Sequence, residues 1–445
     1  MKHAIWTRAY KLLNVVLITA AFACCWLFYY SNRVVMETGE RMHTLVIGLF
    51  FLLYAVLCRV YDALLISYSR ISELIYSQTL AFLVADVALY IVISILTKGI
   101  PNLIPGLAIF FIQIIISGFW VFTARSLYFR FTPPKKSAVI YESVTEMESL
   151  IDDYGFEKKF ELTASYNVRE VLKDLNLISG MEVVFLRGIH SKHRNVILKY
   201  CIANNIQVFV IPRVGDVIMS GATKMHMFHL PVLRVSRYAP NPEYVFLKRL
   251  FDIVCSGLGL IITSPIFIVT AIAVKKDGGP AFYKQKRLTK DGKEFYVLKF
   301  RSMRVDAEKD GVARLSTGDH DDRITPVGRK IRALRIDELP QLINIFRGDM
   351  SIVGPRPERP EIAAQYEAEM PEFRLRLQAK AGLTGYAQVY GKYNTTPYDK
   401  LLMDLMYIAN PSIIEDLRIC FATVKILFVK DSTEGIAEGQ TTAAK

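Results

Sequence analysis

The sequence predicts a membrane protein in three parts: a four-helix transmembrane bundle, a Rossmann-like α/β cytosolic domain, and an α+β monotopic domain carrying a re-entrant membrane helix. Three observations predict it. Four apolar stretches, each close to the ~20 residues a bilayer-crossing helix needs, fill residues 1–130. Strand-like and helix-like runs then alternate from Ser137 to about Val235. A further apolar run, Phe251 to Val274, has cations at both ends and Ser264-Pro265 inside it.

The 445 residues carry 55 Lys and Arg against 42 Asp and Glu, a formal charge of +13, and 52% are hydrophobic. A basic chain suits nucleic acid, anionic lipid or phosphorylated substrates. No zinc-type cysteine spacing and no nucleic-acid module is visible, so nucleic acid drops out. Beside so many apolar spans, anionic membrane lipids are the expected partner. The six cysteines, at 24, 25, 58, 201, 255 and 420, sit mostly in apolar runs and read as reduced packing residues. The basic N-terminus and its apolar run lack a small-residue cleavage site, so that run is expected to remain as an anchor.

The predicted spans are Leu12 to Tyr30, Leu45 to Val60, Thr79 to Leu96 and Leu103 to Thr123. Basic residues favour the N-terminus (Lys2, Arg8, Lys11), the second link (Arg59, Arg70) and the exit (Arg125, Arg130, Lys135, Lys136). The positive-inside tendency then puts the N-terminus and everything after Arg125 in the cytosol. Pro133-Pro134 marks a linker into the α/β domain, 135–240. Its strand-like runs are SAVIY, MEVVFLR and IQVFVIP, with a helix over Lys192 to Asn204. Glu142-Ser143-Val144-Thr145 follows the first strand where a dinucleotide fold has G-x-G-x-x-G. Without that loop, the Y-x-x-x-K spacing of Tyr154 and Lys158 reads as chance, and the domain as a regulatory or assembly module.

The third domain spans 244–430, with a predicted re-entrant helix over 250–274. Lys248 and Arg249 precede the apolar run and Lys275 and Lys276 follow it, so both ends prefer the cytosol. Pro265 removes a backbone hydrogen bond, and the Ser264 hydroxyl can serve the freed carbonyl. A broken helix that enters and leaves on one face is therefore expected. A basic hairpin follows, Phe282 to Leu288 and Glu294 to Arg301, turned at Asp291-Gly292. Most of its cations (Lys284, Lys286, Arg287, Lys290, Lys293, Arg304) are expected to face anionic headgroups, leaving Lys299 and Arg301 for chemistry.

The stretch RIDELPQLINIFRGDMSIVGPRPE reads as a phosphate-handling site. Asp337 suits an N-cap and Pro340 a helix's first turn, while Leu339, Leu342, Ile343 and Phe346 supply an apolar stripe. The adjacent carboxylates Asp337 and Glu338 then lie at the positive end of a helix dipole. An ionised aspartate can attack phosphorus, and a neighbouring carboxylate can hold a divalent metal. Pro355 and Pro357 fix the backbone around Arg356, whose guanidinium suits phosphate, and Arg332 adds charge. An isolated D-E-L-P would equally serve as a plain helix cap. Farther on, Gly382 to Gly385 is expected as a loop before a strand, Tyr386 to Tyr390. Helices follow over Asp399 to Ile408 and Ile413 to Val429, then a disordered tail, 431–445.

Five motifs in order, KRLFDI from 248, the Ser264-Pro265 break, KFRSMRVDAE from 299, LRIDELPQLINIFRGDMSIVGPRPE from 334 and AGLTGYAQV from 381, resemble the bacterial sugar transferases, or polyprenyl-phosphate hexose-1-phosphate transferases. The likeness runs from about Tyr244 to Val429. With the leading spans and α/β insert the chain looks like the family's long form, as in undecaprenyl-phosphate glucose and galactose phosphotransferases. The resemblance implies transfer of a sugar 1-phosphate from a UDP-sugar, UDP-glucose or UDP-galactose, to undecaprenyl phosphate with release of UMP, initiating capsule, exopolysaccharide or O-antigen synthesis. It implies an aspartyl sugar-phosphate intermediate on Asp337, Mg2+ at Asp337 and Glu338, and phosphate contacts from Lys299, Arg301, Arg332 and Arg356, the last framed by Pro355 and Pro357. It also implies a bacterial plasma membrane location with the catalytic domain on the cytoplasmic face, and leaves room for a homodimer. The chain departs from the family after Val389, where Tyr390-Gly391-Lys392-Tyr393-Asn394 stands in place of an Asn-Gly turn. The alternative is a non-catalytic membrane scaffold or sensor in polysaccharide assembly.

Overall fold

Long apolar runs set the first elements of the computed structural model, which describes residues 2–34, 40–142, 158–276, 278–305, 307, 323–391 and 395–426. The predicted tail, Tyr154 of the Y-x-x-x-K pair, and Lys392 to Asn394 of the departing turn lie outside the described residues. Helices α1 (Lys2–Cys25), α2 (Glu40–Val60), α3 (Ile71–Leu96) and α4 (Ile104–Phe131) occupy the four predicted spans and extend beyond most of them. Among the described residues five helices are long and apolar enough to cross a membrane, these four and Pro242–Lys275. The chain divides into two compact units, 1–211 and 212–445.

In the first unit the four helices close on a neutral polar network. Asn14 Nδ2 and Ser117 Oγ both donate to Gln78 Oε1, at 3.1 and 2.7 Å, and Tyr54 donates to Asn14 Oδ1 at 2.9 Å. Gln78 Nε2 donates to the Ala63 carbonyl, which fastens the link after α2. Each buried polar atom in such a core needs a partner because lipid offers none.

The α/β domain of this unit has strands β1 (Lys135–Tyr141), β2 (Phe160–Asn167), β3 (Val183–Arg187) and β4 (Gln207–Val210), all parallel and ordered β2-β1-β3-β4. Val139, Phe160, Val183 and Phe185 fill one side of the sheet; Ile140, Val184, Leu186 and Ile197 fill the other. The order reverses between β1 and β3, where doubly wound folds bind ligands. The helix Ser191–Ala203 starts beside that point, but the His190 N–H donates to Glu142 Oε2 at 2.8 Å. The protein's own carboxylate thus occupies the start of the helix that follows β3.

The second unit is built around the helix Pro242–Lys275. The expected break at Ser264-Pro265 does not form: the helix is continuous through both residues. Ser264 Oγ donates to the Ile261 carbonyl at 2.7 Å, the acceptor that lost its backbone donor at Pro265. With that carbonyl satisfied, the helix need not end. Both halves are held by the same unit. Toward the start, Lys248 pairs with Asp416 at 2.9 Å, Arg249 donates to the Ile345 and Phe346 carbonyls, and Asp252 accepts from Ser351 Oγ and the Ile352 N–H. At the far end Val274 packs on Phe300 and Ile331. Ile261, Ile262, Ile268 and Val269 remain exposed.

Val353, Phe373, Leu401, Leu405 and Ile419 form the main core of this unit. Val217, from the short helix Val214–Ser220, joins them, so residues 212–240 pack here and not with the α/β sheet to which the sequence reading assigned them. The expected strand at Tyr386 to Tyr390 is a helical turn; the strand is Gly382–Thr384, parallel to Ser351–Val353. Gly382 permits that pairing, since a Cβ there would lie 2.1 Å from the Gly354 nitrogen.

Candidate active site

Asp337 and Glu338 do not cap a helix. They lie in a 3-10 turn, Ile336–Glu338, and the following helix, Gln341–Arg347, starts after Pro340. The cause is Arg335, whose backbone is left-handed at φ 56° and turns the chain just ahead of the pair. A non-glycine residue held there is uncommon and marks a backbone imposed by its surroundings.

Asp337 is 9% exposed. Glu338 Oε1 meets Lys299 Nζ at 2.9 Å and Arg356 Nη2 at 3.4 Å. Lys299 stands at the end of the strand Glu294–Phe300. Asn344 fixes that strand like a neighbouring backbone, accepting from the Leu298 N–H and donating to the Tyr296 carbonyl, both at 2.9 Å. Arg356 stands in the turn Gly354-Pro355-Arg356-Pro357. The Gly354 N–H of this turn donates to Thr384 O and its Pro355 carbonyl accepts from the Gly382 N–H.

These surroundings divide the two carboxyls. Burial pushes Glu338 up, but Lys299 and Arg356 outweigh it and hold the group well below the usual carboxylate range. Burial also pushes Asp337 up; Lys299 pulls it back and Glu338 pushes it up again, and with Arg332 and Arg335 counted it stays above its ordinary 3.8. One carboxylate is thus locked as an anion by its ion pairs. The other is buried, costly to ionise, and correspondingly more basic.

Of the residues read from sequence, the structure gathers Asp337, Glu338, Lys299, Arg332 and Arg356, with Pro355 and Pro357 framing the last. Arg301 goes elsewhere. It is buried, and its guanidinium donates to the Pro280 carbonyl at 3.0 Å and the Val274 carbonyl at 2.8 Å, so it pins the end of the long helix. Ser264 and Pro265 lie within that helix. Sequence reasoning missed Arg335 and Asn344, since neither a left-handed arginine nor an asparagine substituting for a strand has a local signature.

Asp337 and Glu338 are two adjacent carboxylates. Among the described residues no three or more Asp, Glu, His or Cys side chains gather as a complete metal cage. Two carboxylates suit Mg2+ that is also bound by substrate phosphate and water. The donor set fits a cation arriving with a diphosphate.

The sequence pattern of the family described as bacterial sugar transferase matches residues 243–430, which include every residue of this site. Over 209 residues the chain is 41% identical to UDP-glucose:undecaprenyl-phosphate glucose-1-phosphate transferase of Caulobacter vibrioides, covering 46% of this chain and 78% of that one. It is 35% identical over 234 residues to UDP-N-acetylgalactosamine-undecaprenyl-phosphate N-acetylgalactosaminephosphotransferase of Aeromonas hydrophila, covering 52% and 54%. It is 35% identical over 274 residues to undecaprenyl-phosphate galactose phosphotransferase of Salmonella typhimurium, covering 58% and 56%. The matches thus span about half the length of the last two relatives. With the first covered over most of its length and the family pattern lying across the whole candidate site, the chain belongs to the bacterial sugar transferase family.

Proposed function

We propose that this protein transfers a hexose 1-phosphate from a UDP-sugar to undecaprenyl phosphate and releases UMP. The observation that carries the reading is the unequal pair: a buried, basic Asp337 beside Glu338, which Lys299 and Arg356 hold ionised. Names of the relatives include UDP-glucose, UDP-N-acetylgalactosamine and undecaprenyl phosphate, which supports this substrate class. UDP-glucose and UDP-galactose are the donors we favour.

In the first half-reaction an Asp337 carboxylate oxygen attacks the phosphorus that bears the sugar. A carboxylate–phosphorus bond forms, the bond to the bridging oxygen breaks, and UMP leaves with that electron pair. In the second, an oxygen of the lipid phosphate attacks the same phosphorus and Asp337 departs as carboxylate. Splitting the transfer divides one encounter between two anionic phosphates into two steps. Lys299 and Arg356 disperse the charge that gathers on the phosphoryl oxygens, and Arg332, whose charge also acts on Asp337, adds to them. Mg2+ bound with the donor by Asp337 and Glu338 would supply Lewis-acid neutralisation of the diphosphate.

We further place the second unit at the cytoplasmic face of a bacterial plasma membrane, with both ends of the helix Pro242–Lys275 held on that face and its outward isoleucines in the bilayer. A helix that crossed the bilayer would put its ends on opposite sides of a ~30 Å core. Here one compact unit holds Lys248 at one end and the Val274 carbonyl at the other, while the isoleucines between them face outward.

The test is UMP release by detergent- or nanodisc-purified protein given undecaprenyl phosphate, Mg2+ and a panel of UDP-sugars. Release with one sugar is expected. Silence with the whole panel, from folded protein, would move the reading to a scaffold or sensor.

A further inference from the structure

The turn that carries Arg356 cannot hold itself together. Pro355 and Pro357 have no N–H, and a proline ring fixes φ but leaves ψ free. Yet four successive carbonyls of this turn accept hydrogen bonds from outside it. Pro355 O accepts from the Gly382 N–H at 2.9 Å and Glu358 O from the Leu288 N–H at 3.0 Å. Between them, Arg356 O accepts from Arg376 Nη2 at 2.8 Å and Pro357 O from Arg287 Nη1 at 3.0 Å. The two peptide planes that flank Arg356 are therefore each set by one donor, Gly382 on one side and Arg376 on the other. A Cα hung between two fixed planes has a fixed Cα–Cβ direction, so the reach of the Arg356 side chain toward Glu338 is decided from behind.

Both arginines are themselves clamped. Arg376 is 3% exposed; Nε and Nη2 reach Asp404 Oδ2 at 2.8 and 2.7 Å, and Nη1 lies 3.6 Å from Glu358. Gln285 Oε1 accepts from Arg287 Nε and Nη2 at 3.1 and 2.6 Å, and Glu358 lies 3.9 Å from its Nη1. Arg287 thus turns inward, away from the headgroup role expected of it. Burying guanidinium groups carries a desolvation penalty that well-packed apolar residues would avoid. What apolar residues cannot supply is a rigid fork that grips a carboxylate and a carbonyl at once.

We propose that Arg376 and Arg287 are positioning residues that aim Arg356 at the reacting phosphate; this rests on the transferase reading above. Arg376 has the larger role, because its carbonyl belongs to Arg356 itself. Lysine at 376 keeps the charge beside Asp404 but loses the fork that serves both acceptors.

The test is a double-mutant cycle on the full-length protein, with Arg376→Lys and Arg287→Lys each made alone and with Arg356→Ala. Two quantities are read: kcat/KM for the UDP-sugar the wild type uses, and equilibrium affinity for UDP with Mg2+. Expected is a loss of about tenfold for Arg376→Lys and a smaller loss for Arg287→Lys, each read well below that variant's own thermal midpoint so that lost stability does not count as lost turnover. In the Arg356→Ala background neither should cost more than about twofold. Equal losses in both backgrounds, or none in the parent, would overturn the proposal. If Arg356→Ala is too slow to time, the UDP affinities alone decide by the same criterion. Wild-type protein that binds UDP but releases no UMP with any donor would refute the transferase reading and leave the positioning proposal to be judged on the affinity cycle.

Discussion

In the membrane bundle Asn14, Tyr54, Gln78 and Ser117 are buried and neutral, and their donors and acceptors match one another. In the second unit Asp337 and Glu338 are adjacent, charged, and served unequally: Glu338 has two cations in contact, while Asp337 bears the cost of burial. Both clusters are polar and both are built from several elements. The first can persist with no further partner. On the reading proposed above, an anionic ligand would share the cations of the second, and that imbalance separates a cluster that holds helices together from one suited to chemistry.

The strongest way to break this contrast is Asp337→Asn. Turnover should fall by a factor of about a thousand or more, read as UMP release, because amide oxygen is a poor nucleophile. Stability should move the other way. A carboxyl whose folded pKa is raised weakens the fold once pH exceeds that value, and the penalty disappears below its unfolded pKa of 3.8. The amide should therefore raise the thermal midpoint by about 1–3 °C at neutral pH and leave it unchanged in strong acid. Wild-type turnover should decline on acidification at a pH above 3.8, as Asp337 takes up its proton. A midpoint that drops at neutral pH would mean Asp337 is a structural acceptor.

Glu338→Gln should cost less activity, about a hundredfold, and should destabilise the protein. Its folded pKa is depressed, so the stabilisation is present above the unfolded value of 4.5 and lost as pH falls through the folded one. The deficit should be about 1–2 kcal/mol near neutrality, since Arg356 is 43% exposed and Lys299 22%, and should shrink in acid. Neighbouring carboxyls would thus give pH–stability differences of opposite sign in calorimetry, which no reading of the pair as a simple helix cap produces.

On the neutral side of the comparison, Gln78→Leu removes the acceptor shared by Asn14 and Ser117. Within a membrane bundle such losses run to about 0.6–2 kcal/mol. The midpoint of the first unit should fall accordingly in a thermal or SDS titration, and UMP release should stay within twofold. Loss of turnover without loss of stability would make the bundle part of the chemistry.

How far these clusters could be read from sequence depended on whether their partners were local. The four spans follow from apolar length alone, and β1, β3 and β4 from continuous apolar runs. Strand β2, FELTASYN, was missed although its apolar and polar residues alternate as those of a half-buried edge strand do. The acidic pair was visible as a motif, but its backbone was not: the left-handed Arg335 that turns it has no pattern of its own. Lys299 and Arg301 are two apart and would share a face of a strand, yet the strand ends at Phe300 and Arg301 turns to the helix end. The continuity of the long helix rested on one hydroxyl, Ser264, finding one carbonyl.

The smallest expected effect separates two lysines that look alike in the basic hairpin. Lys286 pairs with Glu294 at 3.0 Å, as tightly as Lys299 with Glu338, but both partners there are about half exposed. An ion pair in water gains little and costs side-chain freedom, so Lys286→Gln should change neither UMP release nor thermal midpoint measurably. The same substitution at Lys299 removes a cation from a carboxylate that is only 16% exposed, and should reduce turnover by about tenfold or more. Equal distance with unequal outcome is the result the comparison requires. A turnover loss at Lys286 matching that at Lys299 would instead show that the outer face of the hairpin, and not burial, selects the cations that meet substrate.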